Sequence, residues 1–158
     1  MREALALLPS PDDVYHRVAV LFATRWVPPD EGEAQALSLA TWASAHERLG
    51  LALAAHVRAA ACALAQQSPR RAAPHADAAL HLATEYRPDS FYLPELWLVA
   101  AQASLGMDRA DQARAQLVQG NRWVDERLER DVPPSFRESF AHRNPVNREL
   151  RVLASRLG

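Results

Sequence analysis

The sequence lacks lysine and isoleucine altogether, and it has a single cysteine, Cys62, among its 158 residues. One cysteine excludes an internal disulfide and a zinc site built from several thiolates. Without lysine, the chain cannot contain the Gly-rich phosphate loop that ends in Lys-Ser or Lys-Thr. A net charge of -1 gives none of the broad basic field that long nucleic-acid contacts need. These absences predict a chain with no metal, no cofactor and no nucleic-acid partner.

Long apolar runs are missing as well. No stretch of about 18 apolar residues occurs, so we expect no helix to cross a membrane. The apolar stretch in residues 1–8 is short, is interrupted by Glu3 and is ended by Pro9-Ser10-Pro11, so it does not have the form of a secretory signal peptide. The sequence predicts a soluble, cytoplasmic protein that makes no membrane contact.

The residues that are abundant favour helices. The chain is 49% hydrophobic, with alanine and leucine dominating the apolar set, and every basic residue is arginine. Alanine, leucine and arginine are strong helix formers, whereas the β-branched residues that build strands are scarce. A GC-rich coding bias would also enrich alanine and arginine, so the periodicity of the apolar residues has to decide. That periodicity predicts an all-α fold.

Proline, glycine and aspartate divide the chain into about eight helical segments joined by short connections. Gly50 and Gly106 are placed to take the left-handed conformation that ends a helix. Asn144 is placed to cap the last helix, with Pro145 in its first turn. The predicted helices cover residues 11–26, 33–49, 51–67, 72–86, 94–105, 109–130, 135–142 and 144–157.

Small residues recur at a fixed spacing, which is typical of helical repeats. The preceding helices match more loosely, residues 56–60 with residues 97–101, and a different loop length absorbs the offset. The repeating unit is therefore a helix pair, with units at about residues 51–87 and 94–131 and capping helices at about residues 134–157 of a single domain, 1–158. The matching positions, 37 residues apart, are Ala73, Ala76, Ala78, Leu80, Ala83 and Tyr86 against Ala110, Ala113, Ala115, Leu117, Gly120 and Trp123.

Within the second unit, Trp97, Ala101, Ala113 and Gly120 stand where the tetratricopeptide pattern has a bulky, a small, an alanine and a small residue. Small residues at helix crossings let the two backbones approach closely. We therefore predict antiparallel helix-hairpin repeats that form a tetratricopeptide-like α-solenoid. An ordinary helical bundle of similar length is the alternative.

A more particular resemblance covers about the last 65 residues. It rests on Tyr92-Leu93-Pro94-Glu95-Leu96-Trp97 and on the tail segments at residues 132–140 and 142–150. These segments resemble the C-terminal tetratricopeptide-like region of large bacterial signalling ATPases, including STAND-class transcriptional regulators. The resemblance implies a non-enzymatic sensor or scaffold region of such an ATPase. This chain departs from the full-length proteins in having no phosphate loop and no evident DNA-reading module.

Aromatic and basic residues are the candidates for contacts with a partner. Three of the four tryptophans lie on apolar helical faces and favour core packing, and Tyr92 or Trp123 is the better candidate for exposure. The densest basic group lies around Asn144 and could hold an anion at the start of the last helix. Salt bridges with the interleaved Glu138 and Glu149 explain that group equally well. The candidate partner-binding residues are Tyr92, Trp97, Trp123, Arg137, His142, Arg143 and Arg148.

Other reactive side chains favour structural roles. Asp77, His81 and Glu85 are four residues apart in turn, near His75, and could ligate a metal, but pairing of exposed side chains explains the same spacing. Cys62 lies among alanines, which predicts a small buried side chain with no redox role.

No serine, histidine and acid pattern supports nucleophilic catalysis, so the sequence predicts a protein that is not an enzyme. We expect a helical repeat module that binds a protein or peptide partner on a concave face. A domain that binds a small-molecule effector near His46 and His56 is the main alternative, and a free-standing adaptor is another. The sequence leaves homodimer formation open.

Overall fold

The computed structural model describes residues 13–87 and 91–158, and these residues confirm the all-α prediction. The described residues contain no strand, and none of their helices combines the length and apolar character that a membrane crossing requires. The predicted opening segment at residues 1–8, and the proline breaks at residues 9–11 and 88–90, lie outside the described residues. The helices are α1 Val14–Ala23, α2 Pro29–Ala45, α3 Leu49–Ala65, α4 Pro69–Leu82, α5 Pro94–Leu105, α6 Ala110–Arg130 and α7 Pro145–Leu157.

The chain divides into two compact units, the first ending at Phe91 and the second spanning Tyr92–Gly158. In the first unit α2, α3 and α4 pack side by side, joined by short turns, and α1 packs on α2 and α3. In the second unit α5 and α6 form a helix hairpin, and α7 packs against both of them. Connections this short make consecutive helices antiparallel.

Helix starts differ from the predicted bounds where a proline opens the helix. Helix α2 begins at Pro29 and α4 at Pro69, each a few residues before the predicted start. Proline suits the first helical turn because the N–H that it lacks would have no partner there. The predicted helix at residues 135–142 is wrong, since a 3₁₀ turn, Pro134–Phe136, and a π turn, Ser139–Arg143, occupy that segment.

The predicted cap of the last helix is confirmed, whereas the two predicted glycine caps are wrong. Asn144 Oδ1 accepts hydrogen bonds from the Val146 and Asn147 N–H groups at 3.0 and 3.2 Å. Gly50 lies inside the first turn of α3, and Gly106 has an ordinary helical φ of -66°.

Left-handed residues instead end three helices at Glu47 (φ 55°), Gln67 (φ 55°) and Asp108 (φ 59°). Each belongs to the same backbone turn, in which the N–H of the following residue donates to a carbonyl five residues earlier. The three bonds are Arg48 to Ala43 at 2.8 Å, Ser68 to Ala63 at 3.0 Å and Arg109 to Ser104 at 2.9 Å.

The shared turn sets the register between the hairpin α3–α4 and the hairpin α5–α6. Because Gln67 and Asp108 occupy the same place in it, the two hairpins align at 41 residues throughout. The spacing of 37 residues predicted for the second helices is therefore wrong, since the two loops do not differ in length. At 41 residues, buried small residues coincide: Ala60 with Ala101, Ala72 with Ala113 and Ala79 with Gly120.

Close packing holds the first unit together. Nine of the seventeen residues of α3 are buried, six of them alanines, and Cys62 is buried among them as predicted. A Cβ at Gly32 in α2 would lie 3.0 Å from Cys62 Sγ and 3.0 Å from the Thr24 carbonyl oxygen. Even one added methyl group would therefore press on the neighbouring helix.

We expect Glu47→Gly to raise the free energy of unfolding by about 0.5–1 kcal/mol, because glycine adopts a positive φ without a steric cost from Cβ. Urea denaturation monitored by circular dichroism measures the change. The matched control is Glu47→Ala, which removes the same carboxylate but keeps Cβ and should give no gain. Equal effects from the two variants would contradict the assignment of the left-handed turn.

Candidate partner-binding surface

A groove of about 610 Å³ runs along the second unit between α6 and the C-terminal part of α7. Most of its wall is the outward face of α6, where residues three or four apart follow one another along the helix. The residues that line the groove are Arg114, Leu117, Val118, Asn121, Arg122, Asp125, Glu126, Glu129, Ala154 and Gly158.

The two faces of α6 explain why the groove has an apolar floor. The inward face buries Ala113, Leu117, Gly120 and Val124 in the core of the second unit. Val118 lies off that face and is 63% exposed. Leu117 at the floor and the exposed Val118 beside it therefore give the groove an apolar centre.

Charged side chains surround that centre, and most of them are already paired. Arg122 Nε donates to Glu126 Oε1 at 3.0 Å, and Arg151 donates to Asp125 at 2.6 Å across to α7. No described residue pairs with the carboxylate of Glu129. One end of the groove therefore carries an acidic group that is open to a partner.

Asn121 contributes a polar group in the middle of the groove wall. Its Nδ2 donates to the Leu117 carbonyl at 3.0 Å, but its buried Oδ1 has no hydrogen-bond partner among the described residues. An acceptor left unpaired away from water costs roughly 1–3 kcal/mol. A small rotation of the amide toward an N–H or O–H donor in the groove would recover part of that cost.

The structure brings two of the predicted aromatic residues together inside the second unit. The rings of Tyr92 and Trp123 meet edge to face with centroids 5.8 Å apart. The Tyr92 hydroxyl donates to Asn147 Oδ1 at 2.8 Å, and Asn147 Nδ2 donates to the Phe140 carbonyl at 2.8 Å. Burial raises the pKa of the Tyr92 hydroxyl, against the opposing effect of its bond to Asn147. Tyr92 therefore connects the start of the second unit to α7.

Trp97 and Trp123 also contribute to packing. A Cβ at Gly120 would lie 3.1 Å from Trp97 Cβ and 3.0 Å from Leu150 Cδ2, so α5, α6 and α7 meet closely there. Trp123 packs on the core of the second unit, with the Arg127 guanidinium 5.3 Å from its ring centre. The strongly exposed tryptophan is Trp26 in the first unit, not Trp123 as expected.

The predicted basic residues divide into two kinds. Arg137 donates to the Glu129 and Val132 carbonyls at 3.2 Å each, so it satisfies acceptors at the C-terminal end of α6. His142, Arg143 and Arg148 are exposed, and no described residue bonds to their side chains. They lie at or just before the start of α7, whereas the groove lies at its other end. The basic group and the groove are therefore separate surfaces.

The sequence analysis missed the residues of the groove. Val118 carried a signal, because it is an apolar residue placed beside, and not within, the inward stripe of α6. The depth of the groove depends on where α7 packs, which the periodicity of α6 does not contain.

In the first unit, the residues considered for a metal site are exposed. Asp77 and His81 lie on α4, and Glu85 follows the end of that helix. Within residues 13–87 and 91–158, no three acidic, histidine or cysteine side chains lie close enough together to hold a metal ion.

The histidines considered for an effector pocket lie in different surroundings. His46 stacks on Trp42 with ring centroids 4.4 Å apart, whereas His56 stacks on His75 of α4 at 5.9 Å. The first unit has a cavity of about 360 Å³, and neither His46 nor His56 lines it. The cavity is lined by Val14, Val18, Leu21, Glu47, Arg48, Leu49, Gly50, Leu51, Ala54, Tyr86 and Arg87.

Charged groups from three helices surround the pair of His56 and His75. Glu33 of α2 accepts from Gln66 at 2.7 Å and from Arg71 at 3.2 Å. Burial lowers the pKa of His56, and repulsion from His75 lowers it further. Burial also lowers the pKa of His75, against the opposing pull of Glu33. The folded first unit therefore favours the neutral form of both rings.

Burial raises the pKa of the Cys62 thiol, and Arg58 partly opposes that effect. The thiol is therefore held in its unreactive protonated form, as expected of a small buried side chain.

Comparison with known proteins gives no match to a family model, to a curated protein or to a solved structure. The function therefore has to be argued from the surfaces described above.

We expect the free energy of unfolding to fall as the pH is lowered below about 6.5, the ordinary pKa of an unfolded histidine. Below that pH the unfolded chain binds protons that His56 and His75 exclude in the folded state. The stability they contribute is complete above about pH 6.5 and is lost toward their folded-state pKa values. Urea titrations between about pH 7.5 and 5.5 measure this loss.

The variant His56→Gln should flatten the pH dependence. The control His142→Gln removes an exposed histidine of the second unit and should leave the dependence in place. A pH dependence that His56→Gln does not alter would contradict this explanation.

Proposed function

We propose that this chain is a non-enzymatic interaction module that binds a helical segment of a protein partner in the groove between α6 and α7. The observation that carries the proposal is the exposed Val118 over a buried Leu117 floor in a groove of about 610 Å³. An amphipathic helix docks in such grooves through apolar residues spaced three or four apart.

The charges of the groove favour a partner helix with a basic residue near one end. The arginines at the rim are occupied by Asp111, Asp125 and Glu126, so Glu129 is the open charge of the lining. Glu129 follows Val118 by eleven positions, which corresponds to about 16 Å along a helix. A partner helix with an apolar anchor over Val118 and an arginine about three turns away would match both groups.

The resemblance of the last residues to bacterial signalling ATPases supports a place for this module. We propose that it acts as the C-terminal sensor or scaffold region of such an ATPase in the bacterial cytoplasm. Binding in the groove would pass to the rest of that protein through small shifts between packed helices. The exposed His142, Arg143 and Arg148 would add contacts with an acidic surface of the same partner.

The proposal predicts binding of a designed amphipathic helix with leucine anchors and one arginine eleven positions from the central leucine. Fluorescence anisotropy should show affinity in the micromolar range, and Val118→Arg should weaken it at least about tenfold, or by about 1.4 kcal/mol. Glu129→Arg should reverse the preference toward a peptide with glutamate in place of that arginine.

The matched control is Phe136→Arg, because Phe136 is 63% exposed, as Val118 is, and lies outside the groove. It should leave peptide binding unchanged. Equal binding by the unaltered chain and by Val118→Arg would contradict the groove as the partner site.

A second prediction concerns nucleotides. A module of this kind should show no saturable binding of ATP in isothermal titration calorimetry, because nothing in its sequence can form a phosphate loop. Saturable binding would contradict the proposed non-enzymatic role and would favour an effector-binding or catalytic domain.

A further inference from the structure

The outward face of α1 carries three large aromatic side chains that the described chain leaves uncovered. Tyr15 is 76% exposed, Phe22 is 48% exposed and Trp26, just beyond the helix, is 80% exposed. Two 3₁₀-type hydrogen bonds, from the Arg25 and Trp26 N–H groups, carry the chain one turn past the end of α1. With Ala19, these residues follow one another at intervals of four, three and four positions, so they share one face. We call this set the α1 aromatic face.

Contacts on the opposite side hold α1 in this orientation. Leu21 is buried in a core cluster with Leu39, Ala40 and Ala54. The Arg17 guanidinium lies 4.8 Å from the centre of the Trp42 ring. The exposure of the α1 aromatic face therefore follows from how α1 packs on α2 and α3.

The order of residues on this face is complementary to itself. If two copies of α1 lie side by side and antiparallel, Tyr15 of one copy faces Trp26 of the other, and Phe22 faces Ala19. A large ring then meets a small residue, and two aromatic residues meet each other, in both halves of the contact. A twofold interface requires this reciprocity, in which residue i meets residue j and j meets i.

Charge and area fit the same arrangement. Asp13 lies at the N-terminal end of α1 and Arg25 just past its C-terminal end, so antiparallel pairing brings unlike charges together. An aromatic side chain buries about 150–250 Å² when fully covered, so three rings at these exposures offer about 400 Å² per copy. The pair would cover about 800 Å² plus flanking groups, close to the lower limit of about 1,200 Å² for specific interfaces.

We propose that two copies of this chain associate reversibly through their α1 aromatic faces in this antiparallel register. The association is weak and depends on concentration, as its area requires. It goes beyond the proposed function, since it uses the first unit and leaves the groove between α6 and α7 open.

A membrane surface is the other partner that an aromatic helix face fits, and the observations favour it less. Interfacial helices pair their aromatic residues with many basic residues that meet anionic lipids. Helix α1 has one arginine, Arg17, which lies over Trp42, and it begins at the acidic Asp13.

Sedimentation velocity of the full chain, from about 1 μM to about 1 mM, tests the proposal. The average mass should rise toward that of a dimer as concentration increases. Tyr15→Arg should weaken association at least about tenfold, because it replaces a highly exposed ring with a charge. Circular dichroism checks that the variant stays folded.

Ala19→Phe tests the register. It adds an apolar ring to the face but fills the space that Phe22 of the second copy needs, so association should weaken. Nonspecific hydrophobic association would strengthen in the same variant, and that result would overturn the proposal.

Phe136→Arg and Val118→Arg are the controls, and both should associate as the unaltered chain does. Loss of peptide binding by Val118→Arg with self-association intact separates this proposal from the proposed function. The proposal is overturned by a monomer at every concentration, or by Tyr15→Arg associating normally. Binding by a monomeric chain to vesicles of equal phosphatidylcholine and phosphatidylserine, lost in Tyr15→Arg, would also overturn it in favour of a membrane.

Discussion

Close approach of helix backbones at alanine and glycine is the constraint on which both units depend. In the first unit, α3 presents buried alanines to α2 and α4, and Cys62 reaches the backbone at Gly32. In the second unit, Gly120 lets Trp97 and Leu150 meet over the backbone of α6. Dispersion contacts and burial at such crossings grow steeply as helices approach. Small residues thus fix where helices cross, and larger residues fill the space around each crossing.

This constraint also determines what the units expose. Because α6 uses one narrow stripe of small and medium residues to meet α5 and α7, its neighbouring stripe remains outside and becomes the wall of a groove. Because α1 meets α2 and α3 through Leu21 and Arg17, its aromatic residues face away from them. Both candidate interaction surfaces are the outer sides of helices whose inner sides are fully committed.

The sequence predicted the features that residues determine locally. Helix α5 has the predicted bounds, Asn144 caps α7, and Cys62 is buried as a small side chain. Prolines at the starts of α2 and α4 were harder to interpret, because a proline that excludes a continuing helix also suits the first turn of the next one.

Features that depend on neighbouring helices could not be predicted. The turn at Glu47 is formed by backbone hydrogen bonds, so no glycine marked it. The alanine-rich composition allowed a spacing of 37 residues to look convincing when the shared turn sets 41. The exposure of Trp26 and Val118 depends on which faces neighbouring helices cover, and one chain's periodicity cannot decide that.

The repeated left-handed turn has a consequence for how such a chain can change over evolutionary time. Its hydrogen bonds are all main-chain bonds, so the side chains at the corner are free to vary. A single residue inserted within α3, however, would rotate everything after it by about 100° around the helix axis. The alanines would then face solvent, and bulky residues would enter the crossings. Related chains should therefore differ freely at their corners and keep the lengths of their helices.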